Sequence, residues 1–464
     1  MCWKEDGFVL KREKRLRQDL CQGPFLPKII SYTIPIILTS VLQLLFNAAD
    51  LMVLGQLKGN DNVGAVGATS SLINLLVSLF TGLSIGAGVC VAQGIGARDD
   101  ERVSRAVHTA IPAAAIGGAV LTVVGVCLSR WFLELMATPA NLLGQATMYM
   151  QIYFAGIIPI LVYNFGAAIL RSAGDTKSPL IYLSAAGVLN ILLNLFFVAV
   201  CDMAVDGVAL ATVISQLLAC VLVLRKLMCR GDSCKLSLKK MRIDPRALGR
   251  IVSIGLPAGI QGSLFSISNV TIQSSVNSFN IEAINNGCSA ASNIEGFVYM
   301  GMNAFQQTVT TFVGQNSGAR KYKNVGRVVG LTLACVTVTG LILGSAARLF
   351  APQLLSLYLK EGGEAIRYGI TRMNYVCSVY FLCGIMDVLS GSLRGMGAST
   401  VPMVVSILGA CGLRVLWVVT VFRQYQTLDS LFVVFPVSWL VTILALVVCF
   451  VIVWKKRIEA VGAQ

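Results

Sequence analysis

Apolar stretches of about 20 residues recur along the whole chain, each closed by a short cluster of charged or turn-forming residues. Twelve stand out, at approximately 29–56, 65–92, 104–128, 146–170, 178–201, 205–226, 249–276, 286–313, 326–349, 370–393, 401–423 and 430–454. A bilayer core about 30 Å thick needs about 20 such residues in a helix. In lipid, only helices and closed barrels satisfy their own backbone polar groups. The pattern therefore predicts an all-α, polytopic membrane protein of twelve transmembrane helices.

The pattern is also written twice. VAQGIGAR (91–98) matches VGQNSGAR (313–320) at an offset of 222, and LRSAGDTKSP (170–179) matches LRGMGASTVP (393–402) at 223. The stretch from Pro35 to Asn47 returns as Pro257 to Asn269. Ordered matches at nearly constant offset indicate a duplicated six-span unit. Six is even, so both copies insert the same way up. This predicts two six-helix lobes related by a pseudo-two-fold axis along the membrane normal. The expected divisions are a basic tail (1–28), an N-terminal lobe (29–228), a connector (229–248), a C-terminal lobe (249–455) and a short tail (456–464). Parallel duplication is a transport architecture, with a cavity between lobes that rock to give alternating access. Pro35 and Pro257 occupy corresponding places in the first span of each half. Each removes a backbone hydrogen bond and bends its helix, either as a working bend or as packing curvature alone.

Composition agrees. The chain is 56% hydrophobic and 13% charged, where soluble domains are about 25% charged. Residues 1–28 are polar and basic, and the first apolar run is too long for a cleavable signal. The fourteen cysteines are scattered without a CxxC pair, which suits small, buried, reduced side chains. The net charge of +15 raises a nucleic-acid reading, but 29 of the 37 Lys and Arg fall on one side of the predicted topology. That asymmetry places both termini in the cytoplasm of a cell (inner) membrane protein. The tail KREKRLR (11–17) and the basic connector are then topology signals touching anionic lipid, with no nucleic-acid partner. His108 is the only histidine, which excludes a His metal cluster or a His-based triad. The run RDDER (98–102) reads as a solvated salt-bridge face. No Walker stretch is present. Neither cofactor nor metal is expected beyond a coupling ion, and a monomer is expected.

These residues resemble the multidrug and toxic compound extrusion (MATE) family of secondary transporters over about residues 25–455. The likeness is carried by Pro35, Asn47 and Asp50 in span one, the two repeated motif pairs, Asn190 and Asn194 in LNILLN, and NIEGF (293–297). The resemblance implies efflux of amphipathic, often cationic, organic compounds in exchange for protons or sodium ions. Asp50 looks like the acid implicated in cation coupling, and Asn190 like the asparagine beside it. Asn194 falls where many members carry a second acid. The sodium-coupled branch has an acid further along span seven, near Phe265 here, so the DNA-damage-inducible-type branch is the closer match.

Acids inside spans cost about 2.5–3.5 kcal/mol at a helix centre on insertion scales, so they face the bundle interior or a wet cavity. Three are candidates. Asp50, with Asn47 three positions before it on the same helix face, can hold a proton or, with Asn190 and Asn194, ligate sodium. Asp387 lies in span ten, and its repeat counterpart is Asn164. It either pairs with Arg414, the only cation well inside a span, or binds a cationic substrate. Glu295 either faces the cleft or makes a helix–helix hydrogen bond. Asp387, Glu295, Asn164, Arg414 and Gln315 form the candidate substrate or gating set; Asp50, Asn47, Asn190 and Asn194 form the cation-coupling set. The leading reading is an antiporter for amphipathic organic cations embedded in membrane lipid. A flippase for lipids or lipid-linked precursors is the alternative, although it would need a markedly basic cavity. A prenyl- or glycosyl-transferring enzyme would have to rest on RDDER alone.

Overall fold

The computed structural model describes residues 20–58, 60–136, 138–359 and 363–462. The motif KREKRLR, like the rest of residues 1–19, lies outside them. The described residues form twelve helical rods: α1 (Phe25–Lys58), α2 (Asn60–Ala97), α3 (Asp100–Leu135), α4 (Ala140–Ala155 and Ile157–Ser172, bent by 49°), α5 (Lys177–Val200), α6 (Val205–Met228), α7 (Pro245–Asn277), α8 (Glu282–Gly318), α9 (Tyr322–Leu349), α10 (Gly363–Gly395), α11 (Thr400–Phe422) and α12 (Leu428–Gly462). Among the described residues, ten of these are each long and apolar enough to cross a membrane, and the two pieces of α4 together make an eleventh.

The exception is α8, which at 37 residues is long enough but too polar. Glu282, Asn286, Ser289, Ser292 and Asn293 near its start are exposed, whereas most polar side chains of its second half are buried and bonded within the protein. Thr308, Thr310 and Thr311 donate to the carbonyls one turn back, at 2.9, 2.7 and 3.2 Å. Thr308 also meets Thr33 of α1 at 2.9 Å, and Asn316 donates to the Leu20 carbonyl at 3.0 Å. Satisfied in this way, a polar helix is tolerated inside a membrane protein.

The chain divides into two compact units, Leu38–Gly259 and Leu20–Ile37 with Ile260 onward. Each has its own apolar core, one around Phe154, Phe165 and Leu161, the other around Tyr32, Phe312 and Phe432. The helices that follow the two predicted repeat starts each contribute to both units. In α1 the handover falls after Ile37 and in α7 after Gly259, two residues past Pro35 and Pro257 respectively. The duplication is also visible in the backbone. Arg98 and Arg320, one repeat apart, both have φ of 57°, and Gly174 and Gly397 have φ of 88° and 85°. Those positive values close the same turn before α5 and before α11.

A small-residue seam explains why the start of α7 packs within the first unit. A Cβ on Gly82 of α2 would lie 2.2 Å from the Gly259 nitrogen, one on Gly86 2.3 Å from the Ile251 oxygen, and one on Gly255 2.6 Å from the Leu83 Cα. The two backbones touch directly, the arrangement that small residues four apart permit. Overpacking a tight site costs about 1–3 kcal/mol, occasionally more. Here the obstructing atoms are main chain, so Gly255→Leu is expected to fall at or beyond the upper end. Gly249→Leu on the same helix meets nothing within 4 Å and should be neutral. Thermal unfolding of the two variants in detergent checks the contrast.

Candidate functional site

Asp50 lies two turns before the end of α1, half-buried against α5 and α6. Asn194 is fully buried and donates its amide to Asp50 Oδ1. The same amide reaches Asn190 Oδ1 at 3.3 Å, one helical turn back on α5. The Asn190 amide in turn points at Thr212 Oγ1, 3.4 Å away on α6. Thr212 Oγ1 stands 3.4 Å from Asp50 Oδ2 and 3.0 Å from the Val208 carbonyl. The four residues thus close a ring: carboxylate, carboxamide, carboxamide, hydroxyl. Asn194 Oδ1 is buried with no hydrogen-bond partner.

Sequence spacing alone supports part of this ring. Asn190 and Asn194 are one turn apart, so they share a face of α5. Thr212 was missed, because a threonine in an apolar helix gives no signal of its own. Asn47 is exposed, forms no hydrogen bond with Asp50 and is not part of the ring. Eight residues beyond Asp50, Lys58 ends α1 and binds both the carboxylate and the carbonyl oxygen of Asp202, eight residues beyond Asn194. This clamp holds the ends of α1 and α5 in register, and the Lys58 ammonium keeps the Asp202 carboxyl below the usual carboxylate range. It also occupies Lys58, the basic group closest along α1 to the ring.

The second unit treats its acids differently. Glu295 on α8 and Arg372 on α10 form a bidentate ion pair, Nε to Oε1 and Nη2 to Oε2, both 2.9 Å. Both side chains are about 7% exposed. Of the two alternatives for Glu295, the geometry is that of the helix–helix bond. Arg372 corrects the count of cations inside spans. It begins span ten in the sequence, where a polar stretch reads as loop, yet it lies inside α10 and is buried.

Asp387 and Arg414 do not pair. Arg414 donates to Ser438 Oγ and Asn269 Oδ1, each at 3.3 Å, and its guanidinium lies 4.5 Å from the Phe435 ring centre and 5.9 Å from that of Trp439. Aromatic faces and neutral oxygens stabilise this cation in place of a carboxylate. Asp387 accepts at 3.4 Å from Gln306, which is itself bonded to Asn303, and Asp387 Oδ2 is buried without a partner. Arg394, two turns along the same helix, donates to Gln261 at 2.6 Å. Asn164 is half-buried in α4, and Gln315 is buried in the last turns of α8. Gln93, the repeat counterpart of Gln315, accepts from Arg250 at 2.8 Å and from Arg102 at 3.4 Å. The proposed substrate set is therefore spread over separate groups, whereas Asp50, Asn190 and Asn194 come together.

A family model described as MatE matches residues 35–196 and again 257–420, so its two copies begin at Pro35 and Pro257. The "Probable multidrug resistance protein YoeA" of Bacillus subtilis (strain 168) is 28% identical over 435 residues, covering 92% of this chain and 93% of that protein. "Probable multidrug resistance protein YpnP" of the same organism is 27% identical over 398 residues, covering 85% and 88%. A solved structure of a multidrug resistance MATE family transporter in an outward-facing conformation superposes with a TM-score of 0.87 at 22% identity, covering 97% of this chain and 99% of that one. That likeness shows the fold.

Proposed function

The chain belongs to the MatE family of membrane transporters, and from that membership we propose that it exports amphipathic organic cations in exchange for protons. It would do so by alternating access, in the inner cell membrane, with both termini cytoplasmic. The names of the relatives support multidrug export, and the one-sided distribution of Lys and Arg supports the orientation.

The observation that carries the coupling role is the company Asp50 keeps. Glu295 is neutralised by Arg372, and Asp387 has Arg394 two turns along its own helix. The partners of Asp50 are one carboxamide, Asn194, and one hydroxyl, Thr212, both neutral, with Asn190 bonded to each of them. Thr212 has a single hydroxyl hydrogen and two acceptors in reach. The hydroxyl can turn that hydrogen to either acceptor. Toward an ionised Asp50 it donates to Oδ2 across 3.4 Å. When Oδ2 carries a proton the bond can reverse, the carboxyl donating to Thr212 Oγ1 while the hydroxyl turns to the Val208 carbonyl. The ring can therefore stay closed with the proton or without it, which suits a proton carrier.

A sodium reading is supported by one observation, the unpartnered buried Asn194 Oδ1, which offers a hard oxygen ligand beside the carboxylate. A flippase for lipid-linked precursors has less support. The buried cations it would use have partners, Arg372 in Glu295, Arg394 in Gln261, and Arg414 in Ser438, Asn269 and two rings. Ethidium transport in proteoliposomes under separately imposed pH and Na⁺ gradients tests the proposal. Ethidium movement with the pH gradient alone is the expected result. Movement with Na⁺ alone moves the assignment to sodium, and no movement under either gradient overturns export of organic cations.

A further inference from the structure

The second unit holds a cavity of about 700 Å³ at the end of its helices, bounded by residues 21–25, the first turn of α9 and the end of α12. Arg320, Lys321, Lys323 and Arg327 line it, and among the described residues no acid does. Lys321 reaches the Cys21 carbonyl at 3.5 Å, and Arg327 lies 5.9 Å over the Phe25 ring. Among the described residues, Lys321, Lys323 and Arg327 form no ion pair. Phe25, Ile458 and Val461 supply an apolar side to the same wall.

The first repeat provides an internal control. At an offset of 222, Asp99, Asp100 and Glu101 stand where Lys321, Tyr322 and Lys323 stand. The Asp99 carboxylate caps α3, accepting from the Arg102 nitrogen at 2.9 Å, and two more acids fill the first turn. α9 has no side-chain cap and no acid in its first turn. Both loops lie on one side of a parallel duplication, so a topology signal would be served equally by either. The second repeat has exchanged three carboxylates for two ammonium groups and a phenol, and it surrounds a cavity. A helix start without acids, ringed by cations, attracts negative charge, and ammonium and guanidinium groups hold phosphate through charge-assisted hydrogen bonds.

We propose that this cavity binds a phosphate-bearing anion, with the phosphate held by Lys321, Lys323 and Arg327 and the organic part against Phe25, Ile458 and Val461. A volume of about 700 Å³ fits a group the size of a phospholipid headgroup or a small phosphorylated solute, within the usual range of about 300–1,000 Å³ for ligand pockets. The site lies within one unit and is independent of the Asp50 ring.

Purified full-length protein in detergent is compared with the double variant Lys321→Asp/Lys323→Glu, which installs the acids of the first repeat at matching positions, and with the milder Arg327→Gln. Native mass spectrometry and thermal melting are run with phosphatidylglycerol, with phosphatidylcholine and with sodium pyrophosphate. The wild type is expected to bind phosphatidylglycerol or pyrophosphate at least tenfold more tightly than the double variant, with Arg327→Gln in between and weaker binding at high salt. Without ligand the double variant should melt no lower than the wild type, because Asp at 321 can cap α9. Binding of phosphatidylglycerol alone identifies a lipid headgroup; binding of pyrophosphate as well identifies a soluble anion. Absence of binding by the wild type, or equal binding by the double variant, overturns the proposal.

Discussion

Proteoliposomes carrying Asp50→Asn are expected to equilibrate ethidium without accumulating it, whichever gradient is imposed. One charge moved through a total driving force of about 150 mV is worth about 3.5 kcal/mol, an accumulation ratio of about 300 at equilibrium. Asparagine keeps the size of Asp50 and can still meet Asn194 and Thr212, so the ring survives as a structure and loses only its titration. The ratio should therefore fall from hundreds to one while ethidium binding and thermal stability stay near wild type. Thr212→Val removes the hydroxyl facing Asp50 Oδ2 and should reduce proton-driven transport, with Thr212→Ser restoring it. If Asp50→Asn still accumulates ethidium, coupling lies elsewhere, and Asp387, with its unpartnered buried Oδ2, is the next candidate.

The fold was legible because its determinants are local and repeated. Runs of about 20 apolar residues leave only a helix in lipid, and two sequence offsets, 222 and 223, exposed the duplication. The helix α8 obscures the hydropathy signal because its threonines and asparagine satisfy themselves against carbonyls, a fact of packing that hydropathy does not register. Asn190 and Asn194 could be placed beside each other from their spacing of four. Thr212 could not, because its role depends on where α6 passes α1. The seam of Gly82, Gly86, Gly255 and Gly259 went unread for the same reason. Arg414 and Asp387 invited pairing because opposite charges inside spans usually neutralise each other. The sequence could not foretell that Phe435 and Trp439 would shield the arginine instead.

Arg372→Met is expected to be the most destabilising of the single substitutions considered. The Glu295–Arg372 pair is bidentate, almost fully buried and further covered by the Phe432 and Phe435 rings, 5.7 and 6.0 Å from the guanidinium. Breaking such a pair from one side costs about 3–5 kcal/mol, because an uncompensated charge is left behind. The penalty belongs to the orphaned carboxylate more than to the lost attraction. Glu295→Leu/Arg372→Met removes both charges at similar volume and should recover most of the loss, since a well-packed apolar replacement of a buried pair is often neutral or stabilising. Unfolding free energies for the two single variants and the double variant form a cycle whose coupling should reach several kcal/mol. The double variant also separates structure from transport. If α8 and α10 need the pair only to pack, it should still accumulate ethidium at near wild-type ratios, leaving Asp50 as the acid on which coupling depends. A stable double variant without transport would instead give the pair a working role in the second unit, and a coupling near zero would mean that the ion pair contributes no stability beyond its separate halves.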